Sequence, residues 1–152
     1  MRKANALFLV PLLALAATAQ GKSLGNSESA LQKANPLVNW NVESAKRADF
    51  DCDGKPDTVM LGSEKDRAVV GIVWGAPKHE QILTFPVGTA TQDGFSSQPK
   101  TIEVHPLDCK TEDGLPLPGC KAVPDCKIFS VPDDQSDTFN FYWDSSRGRL
   151  AW

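Results

Sequence analysis

Histidine is scarce in this sequence, basic residues are not in excess over acids, and the common motifs of catalysis are absent. Among 152 residues the formal net charge is −3, and only two residues are histidines. The weak charge argues against a broad basic surface for nucleic acid. No nucleophile elbow or zinc-protease motif accompanies His79 or His105. We therefore expect no nucleic-acid partner, assign no catalytic residue and predict that the chain is not an enzyme.

Long apolar runs are also absent, with one exception at the N-terminus. A basic start, Met-Arg-Lys, precedes an apolar run from Ala6 to Ala17, and a small-x-small site follows at Ala17-Thr18-Ala19. The run is about a dozen residues long, whereas a membrane span needs roughly 20. This pattern predicts a cleaved signal peptide at residues 1–19 and a periplasmic or secreted mature chain without a membrane span. No cysteine lies near the cleavage site, which argues against a lipid anchor.

The cysteines show none of the spacings of a zinc site. Cys52, Cys109, Cys120 and Cys126 include no Cys-x-x-Cys pair. An even number of cysteines in an oxidising compartment predicts two disulfides, for which three pairings are possible. We favour a local bridge between Cys120 and Cys126, which leaves Cys52 to pair with Cys109. The other two pairings stay open.

Amphipathic helical patterns are lacking after Pro36, and β-branched runs take their place. Residues 20–35 are polar and predict a flexible leader with at most one short helical turn near its end. Residues 36–152 are predicted to form a single all-β domain, a small antiparallel sheet or sandwich stabilised by disulfides. The candidate strands are residues 58–61, 68–74, 81–87, 101–105, 127–131 and 138–144.

Most aromatic side chains are predicted to lie in the core or on a sheet face. This prediction covers Trp74, Trp143 and Trp152, whereas Trp40 lies outside any predicted strand. An exposed aromatic contact surface is the alternative. The loop at residues 88–99, with Phe95 at its tip, is the candidate for a projecting protein-binding segment.

One segment has the composition of a metal loop. Its acids Asp49, Asp51, Asp53 and Asp57 stand at positions 1, 3, 5 and 9, and the glycine at position 6 permits a tight turn. Calcium takes roughly six to eight oxygen ligands, and the carbonyl of Lys55 at position 7 adds one. The four acids repel one another unless a cation offsets their charge. A plain hairpin turn with solvated acids is the alternative.

The sequence after the loop decides which kind of calcium loop it resembles. An EF-hand needs a bidentate acid at position 12, where this chain has Met60 in an apolar run. The segment instead resembles the calcium loop of FG-GAP and VCBS repeats, Asp-Phe-Asp-Gly-Asp-Gly-x-x-Asp followed by a strand. More loosely, this loop and the late Phe-Tyr-Trp-Asp run resemble small exported bacterial proteins that carry one such loop.

The resemblance implies Ca²⁺ as the cofactor, a calcium-loop hairpin and a specific set of ligands. The four aspartates become side-chain ligands, Lys55 becomes a backbone ligand and Phe50 faces inward beneath the loop. The chain departs from the family at Cys52, where the family usually has glycine. It also carries one copy of the loop, whereas the family usually stacks several repeats into a propeller.

These expectations favour a non-catalytic, exported, calcium-binding β domain that binds another envelope or secreted protein. A small periplasmic inhibitor or immunity protein fits the size, the export signal and the lack of catalytic motifs. Two alternatives stay open: a metal-assisted hydrolase with its site beside the acidic loop, and a structural or calcium-buffering envelope protein. A histidine or serine beside the loop in the folded chain would favour the hydrolase.

Overall fold

A computed structural model describes residues 16–75, 79–88, 93–111, 113–134 and 138–152, and residues 1–15 of the predicted signal peptide lie outside this part. One helix precedes eight strands. Their bounds are α1 Ala16–Ala34, β1 Asn39–Ala48, β2 Asp57–Glu64, β3 Arg67–Val73, β4 Glu80–Pro86, β5 Glu103–Pro106, β6 Lys127–Val131, β7 Phe139–Asp144 and β8 Arg149–Ala151.

The strands form two antiparallel sheets, each built from consecutive strands. The first sheet has the order β1-β2-β3-β4 and the second the order β5-β6-β7-β8. Successive side chains of β2 point to opposite faces of the sheet. Val59 and Leu61 enter the core between the two sheets, while Met60 packs on the face that carries the helix. Phe129 and Phe141 of the second sheet enter the same core and stack at 4.8 Å. The predicted small all-β, disulfide-stabilised fold is confirmed.

The segment predicted to be a flexible leader, residues 20–35, is helical instead. Helix α1 runs through it, and its residue Leu31 is fully buried. Leu31 packs with Val38, Trp40 and Met60 on the outer face of the first sheet. Burial of this leucine stabilises a helix that its glycine, serine and asparagine residues do not favour locally, so tertiary packing overrides weak propensity.

Two strands were missed by the sequence patterns, and both are short of buried apolar residues. In β1 only Trp40 and Ser44 are buried, because this strand lies at the edge of the sheet and bulges between Asn41 and Lys46. Within the bulge the hydroxyl of Ser44 accepts a hydrogen bond from the Leu61 amide at 2.9 Å. Trp40, expected outside a strand, therefore lies in one. The other missed strand, β8, has only three residues.

The indole of Trp40 lies over two glycines of the first sheet. A Cβ atom added to Gly71 would stand 2.5 Å from Cη2 of Trp40 and 2.8 Å from Cδ2 of Leu31. We expect Gly71→Ala to lower the free energy of unfolding by about 1–3 kcal/mol, as overpacking does. Gly25→Ala is the matched control, since nothing lies within 4 Å of its Cβ position in α1.

For Gly25→Ala we expect stability to rise by about 0.5–1 kcal/mol, because alanine favours a helix over the unfolded chain. Urea unfolding of both variants measures the two effects. A neutral Gly71→Ala would contradict the indole placement, and an unchanged Gly25→Ala would contradict a folded helix at this position.

The prediction of two disulfides is confirmed, but the favoured pairing is wrong. Cys52 bonds to Cys126 and Cys109 bonds to Cys120, so none of the four cysteines is free. Sequence distance misled the prediction, because the fold carries the loop at Cys52 to the start of β6. There the amide of Lys127 donates to the carbonyl of Asp49 at 2.9 Å.

Two aromatic side chains lie elsewhere than predicted. Phe95, expected at the tip of a projecting loop, is fully buried, and its ring centroid lies 4.4 Å from that of Phe139. The loop is therefore fastened through its phenylalanine; residues 89–92 lie outside the described residues. Trp152, expected in the core, is 55% exposed, although its ring still contacts Phe85.

Candidate metal site

The acidic loop connects β1 to β2 at one end of the first sheet. The pairing of Ala48 with Asp57 closes it as the turn of a hairpin. Phe50 points inward, is 1% exposed and packs its ring edge-to-face against Phe129 at 5.2 Å. The loop therefore rests on the core shared by both sheets, which restricts its motion.

Three of the predicted ligands converge. Asp49, Asp51 and Asp57 each offer a carboxylate oxygen, and these oxygens lie within 4.8 Å of one another. Among the described residues, neither of the two ion pairs involves any of them. An all-oxygen donor set with uncompensated negative charge fits a hard cation such as calcium.

Asp57 also holds the loop together. Its side chain is buried, its Oδ2 accepts hydrogen bonds from the amides of Phe50 at 2.7 Å and Asp51 at 3.3 Å, and its Oδ1 accepts from Gly75 at 2.7 Å. Burial raises the pKa of this carboxyl above its ordinary value, although the three amides oppose the change. One acid thus fixes both ends of the loop and the chain after β3.

Burial and neighbouring negative charge both act on the carboxyl of Asp51. Burial is the largest cause that raises the pKa of its carboxyl to about 6, and the negative charge of Asp57 is the next. An ionised carboxylate at this position is therefore costly in the protein alone. A bound cation would remove this cost, because it interacts favourably with all three carboxylates.

The structure places Asp53, another predicted ligand, outside this group, while the carbonyl of Lys55 stays a predicted ligand. Asp53 is not a member of the converging group; its amide donates to Oδ1 of Asp49 and to Oδ1 of Asp51, both at 3.1 Å. Its own Oδ1 accepts from the Lys55 amide at 2.7 Å, within the turn. Asp53 thus orients the first two acids through its backbone rather than adding a carboxylate to the group.

Cys52 has a backbone conformation that suits glycine, the residue that the predicted calcium-loop pattern has at this position. Its φ is +65°, in the left-handed region that glycine favours, and Gly54 follows with φ +84°. The backbone therefore has the conformation suited to glycine although a side chain is present. That side chain is used in the bridge to Cys126.

Three groups that support the loop were missed because they are distant in sequence. The amide of Gly75 bonds to Asp57, the amide of Lys127 bonds to Asp49, and Cys126 forms the disulfide. No local signal marks the latter two, since contacts between the acidic loop and the start of β6 arise only when the sheets assemble.

Among the residues that the structure describes, His105 forms no catalytic triad. Its Nε2 lies 2.9 Å from the hydroxyl of Ser130 and 3.7 Å from a carboxylate oxygen of Glu103. A triad needs the acid on the other ring nitrogen, and the buried Ser130 offers no access to substrate. His79 is exposed, and its ring lies 6.0 Å from that of Trp74.

Comparisons with known proteins find no similar protein. Within the described residues, no helix is both long and apolar enough to cross a membrane. Searches of protein-family models, of curated proteins and of solved structures give no match to this chain. The function is therefore inferred from the acidic loop and the surfaces around it.

Proposed function

We propose that this protein is an exported, non-catalytic β domain that binds calcium and acts as a protein-binding module. Its two disulfides indicate an oxidising compartment, the periplasm or the extracellular space. The observation that carries the calcium assignment is the convergence of Asp49, Asp51 and Asp57. Their carboxylates repel one another in the protein alone, and a divalent cation turns that repulsion into attraction.

Calcium is expected to stabilise the fold. A ligand that binds only the folded state adds about 2.7 kcal/mol at a hundredfold excess over Kd. Melting curves in millimolar calcium and in chelator should therefore differ by several degrees. Magnesium should substitute poorly because it requires a tighter octahedral arrangement. Coincident curves in calcium and chelator would leave the acids as a solvated turn.

The protein-binding role is supported by a rigid, exposed loop between β5 and β6. The Cys109–Cys120 disulfide closes it, and the amide of Leu117 donates to the carbonyl of Cys109 at 3.0 Å. The Tyr142 hydroxyl donates to the carbonyl of Pro118 at 3.1 Å, which fastens the base to β7. Beyond this base, Leu115 is 63% exposed. A preorganised loop loses little entropy on binding, so an apolar side chain held on it suits a pocket on a protein partner.

The test of this role is affinity capture from a native envelope extract. The wild type should retain a partner that elutes as a defined complex, and Leu115→Asp should reduce its recovery at least about tenfold, as loss of a central contact does. Leu37→Asp is the matched control, since Leu37 is 75% exposed beside β1 and should not affect capture. Equal recovery with Leu115→Asp and wild type would contradict a contact through this loop.

A further inference from the structure

We propose that the Cys52–Cys126 disulfide positions the cation-binding carboxylates by holding Cys52 in its left-handed backbone conformation. This inference deepens the proposed calcium site and depends on it. The bridge lies at the centre of the loop, because Cys52 stands between Asp51 and Asp53. Cys126, its partner, is 2% exposed and directly precedes β6.

The conformation of Cys52 is unfavourable without support. Its φ of +65° brings the Cβ of an L-residue close to its own backbone, a conformation that only glycine adopts freely. The sulfur bond to Cys126 restrains this residue from outside the loop. A second tie, from the Lys127 amide to the Asp49 carbonyl at 2.9 Å, fixes the start of the loop to the same strand.

The backbone at Cys52 determines how the acids meet. The amide of Asp53 belongs to the peptide unit that follows Cys52, and it donates to carboxylate oxygens of both Asp49 and Asp51. Rotation of Cys52 to a negative φ would turn this amide away and remove the donor that holds the Asp49 and Asp51 carboxylates together. The disulfide therefore acts on the cation through backbone geometry, without any contact of sulfur with the ion.

The consequence is an order of calcium affinities that follows backbone preference. With the bridge removed by Cys126→Ala, position 52 should bind best as glycine, less well as asparagine and least as alanine. We expect Cys52→Gly/Cys126→Ala to bind within about threefold of wild type, since glycine needs no restraint. Cys52→Ala/Cys126→Ala should bind at least about fivefold more weakly, the factor that corresponds to the cost of a left-handed alanine.

The second disulfide provides the matched control. Cys109→Ala/Cys120→Ala also loses a crosslink but leaves the loop at residues 49–57 untouched, so its calcium affinity should match wild type. Calcium titration calorimetry of all variants is carried out well below their melting temperatures, after circular dichroism has shown each to be folded. If the alanine variant does not fold, the comparison of glycine with asparagine remains.

The outcomes separate this inference from the proposed function. A wild type that does not bind calcium overturns both. A wild type that binds calcium, with glycine, asparagine and alanine variants of equal affinity, overturns the inference alone. Equal weakening by Cys109→Ala/Cys120→Ala also overturns it, because the effect would then belong to general stability. The graded order with an unaffected control supports it.

Discussion

Replacing Asp51 with asparagine is expected to abolish stabilisation by calcium and, without calcium, to make the protein more stable at neutral pH. Both effects come from the same charge. The Asp51 carboxyl has its pKa raised to about 6 by burial and by Asp57, so its ionised form opposes folding until a cation binds. Asparagine keeps the shape and removes the charge.

The pH dependence of stability in chelator follows from the raised pKa of Asp51. The carboxyl of Asp51 has a higher pKa in the folded state, about 6, than its ordinary value of 3.8. The folded state therefore binds the proton more tightly, and the stability gained from it below about pH 4 is lost as the pH rises towards 6. After allowance for solvent screening of this partly exposed group, the loss is on the order of 1 kcal/mol.

Urea unfolding in chelator at pH 4 and pH 7 measures this loss in wild type and in Asp51→Asn. The wild type should lose more stability between these pH values than the variant, whose side chain does not titrate. Asp53→Asn is the matched control, because Asp53 lies outside the converging group and is a lesser cause of the raised Asp51 pKa than burial and Asp57, so most of the wild-type slope should remain. Parallel pH profiles for wild type and Asp51→Asn would contradict the charge argument.

Replacing Asp57 with asparagine is expected to destabilise the fold by about 2 kcal/mol in chelator, and by more in calcium, where stabilisation by the ion is lost as well. Its two oxygens accept from the amides of Phe50, Asp51 and Gly75. Asparagine offers one acceptor oxygen and places an NH₂ group against a buried N–H on the other side. The variant avoids the desolvation cost that raises the Asp57 pKa, but the unsatisfied buried amides outweigh that gain.

This second variant distinguishes a structural acid from an acid that only binds the ion. Chemical unfolding of Asp57→Asn should show a lower midpoint in either buffer, whereas Asp51→Asn should show one only in calcium. Asp53→Asn should stay within about 0.5 kcal/mol of wild type in chelator, because Asp53 is exposed and its Oδ1 acceptor remains. A stable Asp57→Asn would contradict its role in closing the loop.

Local patterns were sufficient wherever a strand buries its own apolar residues. Runs such as Val69 to Val73 in β3 bury nearly every side chain, so β-branched composition identified the strand directly. The edge strand β1 buries Trp40 and Ser44 among exposed polar residues, and no period-2 pattern marks it. Helix α1 buries Leu31 against Val38 and Trp40, which follow it closely in sequence, and against Met60 of the next strand, a tertiary contact that no helical pattern marks.

In the candidate site, too, local spacing predicted some features, and tertiary contacts determine the others. The spacing of the four aspartates in a turn-forming segment predicted that their side chains would meet; Asp49, Asp51 and Asp57 do lie together, whereas Asp53 does not join them. The support from Gly75 comes from the end of β3 in the same sheet, whereas those from Lys127 and Cys126 arise only when the second sheet packs against the loop. The predicted disulfide pairing was wrong for the same reason. The short distance in sequence favoured Cys120 as the partner of Cys126, whereas assembly of the sheets brings Cys52 next to Cys126.

The most direct test of the proposed calcium site is a crystal structure from crystals grown in millimolar calcium, with anomalous scattering to identify the ion. We predict one calcium ion per chain, about 2.3–2.6 Å from carboxylate oxygens of Asp49, Asp51 and Asp57. The Cys52–Cys126 bridge should be intact in that structure. A loop with ordered acids and no ion between them at this calcium concentration would contradict the central claim.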